Sequence, residues 1–108
     1  MTDIRFIYVT AGNIDEAEKI ALTVVEERLA ACANVLGACR SFYHWNGKLE
    51  RGDEVTIVLK STQALEKRLV SRIQDLHSYE CPAIVALPVL GGNDAFLDWV
   101  RAETKASG

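Results

Sequence analysis

The dipeptide Asn46-Gly47 joins two segments that are too long for the rest of the chain to cover. Both residues tolerate positive φ, so a two-residue type I′ turn is expected there, with a strand on each side. Ala33 to Trp45 has no helical period and carries Val35, Phe42, Tyr43 and Trp45. Lys48 to Lys60 returns, with Val55, Ile57 and Leu59 on one side and Thr56, Val58 and Lys60 on the other. Gly52 predicts a bulge in that second strand. A strand of about 13 residues at about 3.3 Å each is roughly 43 Å long. The helix expected before it, about 16 residues at about 1.5 Å each, reaches only roughly 24 Å. The outer half of the hairpin, about Cys39 to Asp53, should therefore project past the helices.

The remaining segments fit around that hairpin. Ile4 to Thr10 is β-branched and aromatic and reads as a buried strand. Asn13, with Glu16 three residues later, resembles a capping box. Ile14, Ala17, Ile20, Ala21, Val24, Val25 and Leu29 then recur on one helical face, which predicts a helix to about Ala31. Ser61 or Thr62 is expected to cap a second helix with Leu65, Leu69, Ile73 and Leu76 along one stripe, ending near His77 ahead of Pro82. Ala83 to Leu90 reads as a fourth strand. Asn93 caps a short last helix carrying Phe96, Leu97, Trp99 and Val100. The tail from Lys105 to Gly108 lacks pattern and is expected to fray. The order β-α-β-β-α-β with right-handed crossovers gives an α+β, ferredoxin-like fold. Its antiparallel sheet has order 4-1-3-2, with the two helices on one face and a helix at the end. At 108 residues the chain is read as a single domain, residues 1–108, with an ordered core of about 4–101.

Composition narrows the functional classes. With 12 Lys and Arg against 15 Asp and Glu, the net charge is −3, which argues against a nucleic-acid partner. No apolar run approaches the roughly 20 residues that span a bilayer, so no membrane partner is expected. The three cysteines form no CxxC, and no signal peptide is visible. Together these predict a reduced, cytoplasmic protein. The projecting arm carries three of the eight aromatic residues, Phe42, Tyr43 and Trp45, beside Leu49. Rings of that size outside the core mark an interface, so the arm is expected to pack on another copy of the chain. The alternative is a strand broken near Gly37, with the arm folded back on its own sheet.

Four segments taken in order, Glu27 to Val35 (ERLAACANV), Ser41 to Lys48 (SFYHWNGK), His77 to Pro82 (HSYECP) and Ala86 to Val89 (ALPV), resemble the CutA divalent-cation tolerance family. The similarity runs from about Ile4 to Arg101. His44 stands where the family usually has Arg, Cys81 where it has an aliphatic residue, and Ala83 where Glu is frequent. The resemblance implies a ferredoxin-like protomer and a homotrimer built by hairpins crossing between subunits. It also implies a cytoplasmic role in tolerance of copper and other divalent metals, and with no motif for a nucleophile and its base in the chain no enzymatic activity is expected. An alternative reading is a trimeric signalling protein similar to PII, holding a small anion or nucleotide between subunits.

Two sets of site residues follow. Metal donors would be Cys32, Cys39, His44 and Cys81, since thiolates and imidazoles suit Cu and Zn, although no cofactor is obligatory. Cys32 and Cys39 are an odd number of residues apart, so a regular strand would point them to opposite faces. The other reading of Cys32 and Cys81 is as small buried hydrophobes. A small-ligand cleft at a subunit boundary would draw on Cys32, Trp45, Lys60, His77, Tyr79 and Glu80. Its plainer alternative has His77 capping the end of the second helix and Glu80 paired with an Arg. The PII-like reading needs several basic groups at one cleft, and only Lys60 and Arg40 are obvious. No GxSxG, HExxH or phosphate-cradling glycine loop is present. The loop after the first strand, Ala11-Gly12-Asn13, lacks the arginine an acylphosphatase would need. An RNA-recognition module would need aromatics on its third strand, which has none.

Overall fold

The structure, a computed structural model, describes residues 1–105. Its elements are β1 (Ile4–Ala11), α1 (Ile14–Glu26), β2 (Cys32–Trp45), β3 (Lys48–Thr62), a 3-10 turn (Gln63–Leu65), α2 (Glu66–Leu76), β4 (Ile84–Pro88) and α3 (Asp94–Glu103). The four strands form one antiparallel sheet of order β2-β3-β1-β4, the order expected for right-handed crossovers. Ile7, Val9, Val55, Ile57 and Leu59 face α1 and α2 and are fully or nearly fully buried with Ile20, Val24, Leu65, Leu69 and Ile73. On β1 the alternate residues Ile4 and Phe6 point to the opposite face. There α3 seats Leu97 and Val100 against Ile4 and Ala31.

The hairpin is one unbroken ladder. Trp45 pairs with Lys48 across the turn, and pairing continues to Cys32 with Lys60. Asn46 (φ 52°) and Gly47 (φ 78°) supply the two positive φ angles of a type I′ turn. The molecule measures 44 × 26 × 22 Å, elongated as a projecting arm requires.

Several boundaries differ from expectation. The register shift lies between Val35 and Gly37, and Gly52 pairs regularly with Ser41. Gly37 has φ 86°, a left-handed angle that only glycine adopts at little cost, and Leu36 is the extra residue. Helix α1 ends at Glu26, short of Ala31. Arg28 takes φ 63°, its N–H donates to the Val25 carbonyl, and the Leu29 N–H donates to the Val24 carbonyl, both at 3.0 Å. This is a Schellman stop, hidden in the sequence because Arg stands where Gly is usual. Leu29 is buried as expected, but from the loop, while Ile14 is exposed. Neither Ser61 nor Thr62 caps α2 through its side chain. The Ser61 hydroxyl is buried and donates to the Leu29 carbonyl at 2.6 Å. Strand β4 is shorter than Ala83 to Leu90. Of the tail, Lys105 is held by its N–H to the Arg28 carbonyl at 3.0 Å, and 106–108 lie outside the described residues.

Candidate functional site

A cleft of about 580 Å³ opens between the arm and the loop before β4. Its walls come from three places that only the tertiary fold brings together. Ser41, Phe42, Tyr43 and Trp45 come from β2, Glu50 and Glu54 from β3, and Tyr79, Glu80, Cys81 and Ala83 from the loop before β4, with Thr10 below. Register explains the two β3 carboxylates. Tyr43 faces Glu50, and Cys39 faces Glu54, so both carboxylates share a sheet face with Tyr43 and Trp45.

The loop wall is fixed from beneath. His77 is buried, and its Nε2–H donates to the Thr10 carbonyl at 2.7 Å, while Nδ1 accepts the Tyr79 N–H at 3.0 Å. A carbonyl can only accept and an N–H can only donate, so the ring is the neutral Nε2–H tautomer. His77 thus ties β1 to the loop and does not cap α2 with its side chain. The Tyr79 ring lies 4.7 Å from the His77 ring and reaches the wall, where its hydroxyl donates to Glu54 Oε2 at 3.0 Å. Burial, then the Glu54 hydrogen bond and the negative charge around it, push the Tyr79 phenol up to about 12, so it stays a neutral donor. Glu16 braces the other side of the loop, accepting from the N–H groups of Gly12 (3.1 Å) and Ser78 (2.8 Å). Burial works against its ionisation. The Ser78 and Gly12 hydrogen bonds outweigh that and hold its carboxyl below the ordinary value.

Of the expected ligand-site residues, one chain brings Trp45, Tyr79 and Glu80 to the cleft and sets His77 beneath it. Cys32 and Lys60 do not reach it. They pair with each other across β2 and β3 at the far end of the ladder, where Lys60 bonds to Asn34 and lies 5.5 Å from the Phe6 ring centroid. No Lys, Arg or His lines the cleft, so the basic site a PII-like anion sensor needs is not found there. Among the thiols, Cys81 is exposed on the cleft wall, not buried, and Cys32 and Cys39 are half-buried. The bulge at Leu36 reverses the expected parity, so Cys32 and Cys39 share one sheet face. Their partners Lys60 and Glu54 stand an even number of residues apart. His44 is exposed on the arm's other face. Among the described residues, no three His, Cys, Asp or Glu side chains of one chain gather as a metal-binding group. No helix among them is long and apolar enough to cross a membrane.

The sequence reading missed Glu50, Glu54 and Thr10. Counting back from the Asn46-Gly47 turn would have placed Glu50 opposite Tyr43 and Glu54 opposite Cys39, since the ladder is regular up to Gly37. Nothing local signals Thr10, whose carbonyl is claimed by a histidine 67 residues away.

Comparison with known proteins agrees with this architecture. The divalent-cation tolerance protein CutA of Pyrococcus horikoshii is 42% identical over 99 residues, covering 92% of this chain and 96% of that protein. The crystal structure of CutA from Xylella fastidiosa superposes with a TM-score of 0.94 at 32% identity, covering 96% of this chain and all of that one. The chloroplastic CutA of Arabidopsis thaliana is 35% identical over 92% of this chain, which spans only 54% of that longer protein. The rice and human relatives are likewise only 57% and 55% covered. Residues 5–103 match the model of a single family, and the chain therefore belongs to the CutA1 divalent ion tolerance proteins.

Proposed function

We propose that the protein is a cytoplasmic homotrimer serving tolerance of divalent metals, copper among them. In this reading it binds metal ions or a small ligand at clefts completed between copies and does not catalyse a reaction. The observation that carries this reading is the arm itself. Phe42, Trp45 and Leu49 are 67%, 52% and 70% exposed in one chain, beside a formed cleft. An isolated two-stranded ribbon is marginal in water, and large rings on it favour cover by another copy. Tyr8, Val85 and Leu87 add an apolar patch on the sheet face opposite α1 and α2. Soft donors exist in Cys32, Cys39 and Cys81, all free thiols, with His44 on the arm. Among the described residues no one chain gathers three donors, so a metal site with more than two protein ligands would draw on neighbouring copies. Free thiols also support a reducing compartment.

Sedimentation at micromolar concentration is the direct test. A mass three times the 11.9 kDa chain is expected, and a single-chain mass overturns the assembly. Calorimetry with Cu(II) and Zn(II) on the wild type and on a variant with all three cysteines replaced should show weaker binding without the thiols. Equal affinity removes them from the metal site. Turnover of an acyl phosphate would overturn the non-enzymatic reading.

A further inference from the structure

The loop 77–83 is tied to the sheet by a histidine that can hold it in one protonation state only. His77 is 8% exposed, so water competes little for its hydrogen bonds. Its Nε2–H donates to the Thr10 carbonyl on β1, and its bare Nδ1 accepts the Tyr79 N–H. Protonation puts a hydrogen on Nδ1 and turns that acceptor into a second donor. Two N–H groups then face each other at 3.0 Å, and neither can accept. The bond to Thr10 survives, because Nε2 already carries its hydrogen. One proton therefore breaks the link to the loop and keeps the link to the sheet.

We propose that His77 is a pH-sensitive latch, closed on the Tyr79 N–H while the imidazole is neutral and released from Tyr79 onward when acid protonates it. Histidine is the side chain whose ordinary charge change falls between about pH 5 and 8. Two groups that flank the ring keep their charge across that window. Glu16 on α1 titrates below its ordinary value of 4.5, so it remains a carboxylate and goes on holding the Ser78 N–H. Tyr79 keeps its phenol up to about 12. Glu54 on β3 stands behind Tyr79, bonded to its hydroxyl, and Glu80 follows Tyr79 in the loop. Tyr79 is thus held at two points, by its N–H on His77 and by its hydroxyl on Glu54, with its ring 4.7 Å from the imidazole. Loss of the first point loosens the second, and with it the tie between the loop and β3. Ser78 has its own holder in Glu16, so the hinge falls between Ser78 and Tyr79. Every contact of the latch lies within one chain and none is in the exposed arm. The latch is therefore independent of whether another copy covers the cleft, and of the proposed assembly.

Nitrogen-15 NMR of the full chain reads the latch directly, and the exposed His44, the other of the two histidines, is its reference. At about pH 8 the ring correlations of His77 should show hydrogen on Nε2 and a bare Nδ1. Between about pH 8 and about pH 5 both ring nitrogens should become protonated. Over the same range, solvent exchange of the Tyr79 amide, corrected for its intrinsic pH dependence, should quicken about tenfold or more, the loss of one hydrogen bond. The Ser78 amide should change by less than about twofold. In His77→Gln, whose side chain does not titrate, the corrected Tyr79 exchange should be independent of pH, and His44→Gln should behave as the wild type. Hydrogen on Nδ1 at about pH 8, a ring still neutral at about pH 5, a Tyr79 amide unmoved when the ring is protonated, or equal quickening at Ser78 and Tyr79 each overturns the proposal. A pH response that persists in folded His77→Gln does the same. Should that variant fail to fold, the tautomer and the two amides of the wild type decide the matter without it.

Discussion

The two halves of the β2–β3 hairpin are built on one ladder but held by different forces. Near the base, Val55, Ile57 and Leu59 lie beneath α1 and α2 and are closed from water. At the tip, Phe42, Trp45 and Leu49 sit on equally regular pairing with more than half of their surface left open by their own chain. Backbone hydrogen bonding is common to both, so it cannot be what distinguishes them. Each such bond contributes only about 1 kcal/mol net, whereas a buried aliphatic side chain contributes about 1.5–3 kcal/mol. The base is therefore stable by burial within the chain, and the tip has no such burial in a single chain.

Substitutions at the two ends should separate these sources of stability. The largest effect is expected on assembly. Trp45→Asp should convert the proposed trimer to single chains in sedimentation while far-UV circular dichroism stays that of a folded protein. An unchanged mass would mean that the arm is not the anchor. Ile57→Ala should act oppositely, costing about 2–5 kcal/mol in urea unfolding because it opens a cavity in the core beneath the helices. A loss below about 1 kcal/mol would show that the base is less tightly packed than the structure has it. At the junction, Gly37→Ala should cost about 1 kcal/mol, since alanine resists the 86° φ that Gly37 holds there. Gly52→Ala should stay within about 0.5 kcal/mol, because its Cβ would meet Tyr43 at an ordinary 3.4 Å and its backbone is regular. Equal costs at the two glycines would contradict the position of the bulge.

The sequence announced the architecture more fully than the site, for physical reasons. Period-2 and period-3.6 patterns report burial against the chain's own core, and so Val55, Ile57 and Leu59, and Leu65, Leu69 and Ile73, were readable directly. The Asn46-Gly47 turn fixed the register of the arm. Stops that use an unusual residue were not readable. Arg28 in a left-handed conformation ends α1 three residues before its apolar period does, because Leu29 keeps its burial by a different route. The bulge was assigned to Gly52 rather than Gly37, since either glycine permits one and only the pairing decides. At the site, Trp45, Tyr79 and Glu80 could be singled out by residue type. That Cys32 and Lys60 stand apart from those three within one chain depends on the pairing that sets them face to face at the far end of the ladder. Glu54 is 25 residues from the Tyr79 it binds, a separation no local pattern spans.

The smallest expected effect concerns the loop that walls the cleft, and it distinguishes the root of the arm from the arm itself. Glu16 holds that loop through the Ser78 and Gly12 N–H groups, and in the folded chain its carboxyl titrates below the ordinary value of 4.5. A depressed folded value means the unfolded chain takes up the proton first as acid is added. The contribution of Glu16 to stability is therefore fully present above that ordinary value and is lost as the pH falls through the lower folded one. Glu16→Gln should be less stable than the wild type at neutral pH, and the difference should shrink steadily once the pH drops below about 4.5. Urea midpoints of the two proteins across that range measure it. The arm offers a control, because Glu50 sits on the exposed ladder with no hydrogen bond to the loop wall. Glu50→Gln should shift the midpoint by no more than about 0.5 kcal/mol at either pH. A Glu16→Gln difference that stayed constant into acid would mean that the loop is held by His77 and packing, and that the Glu16 charge contributes nothing to the wall.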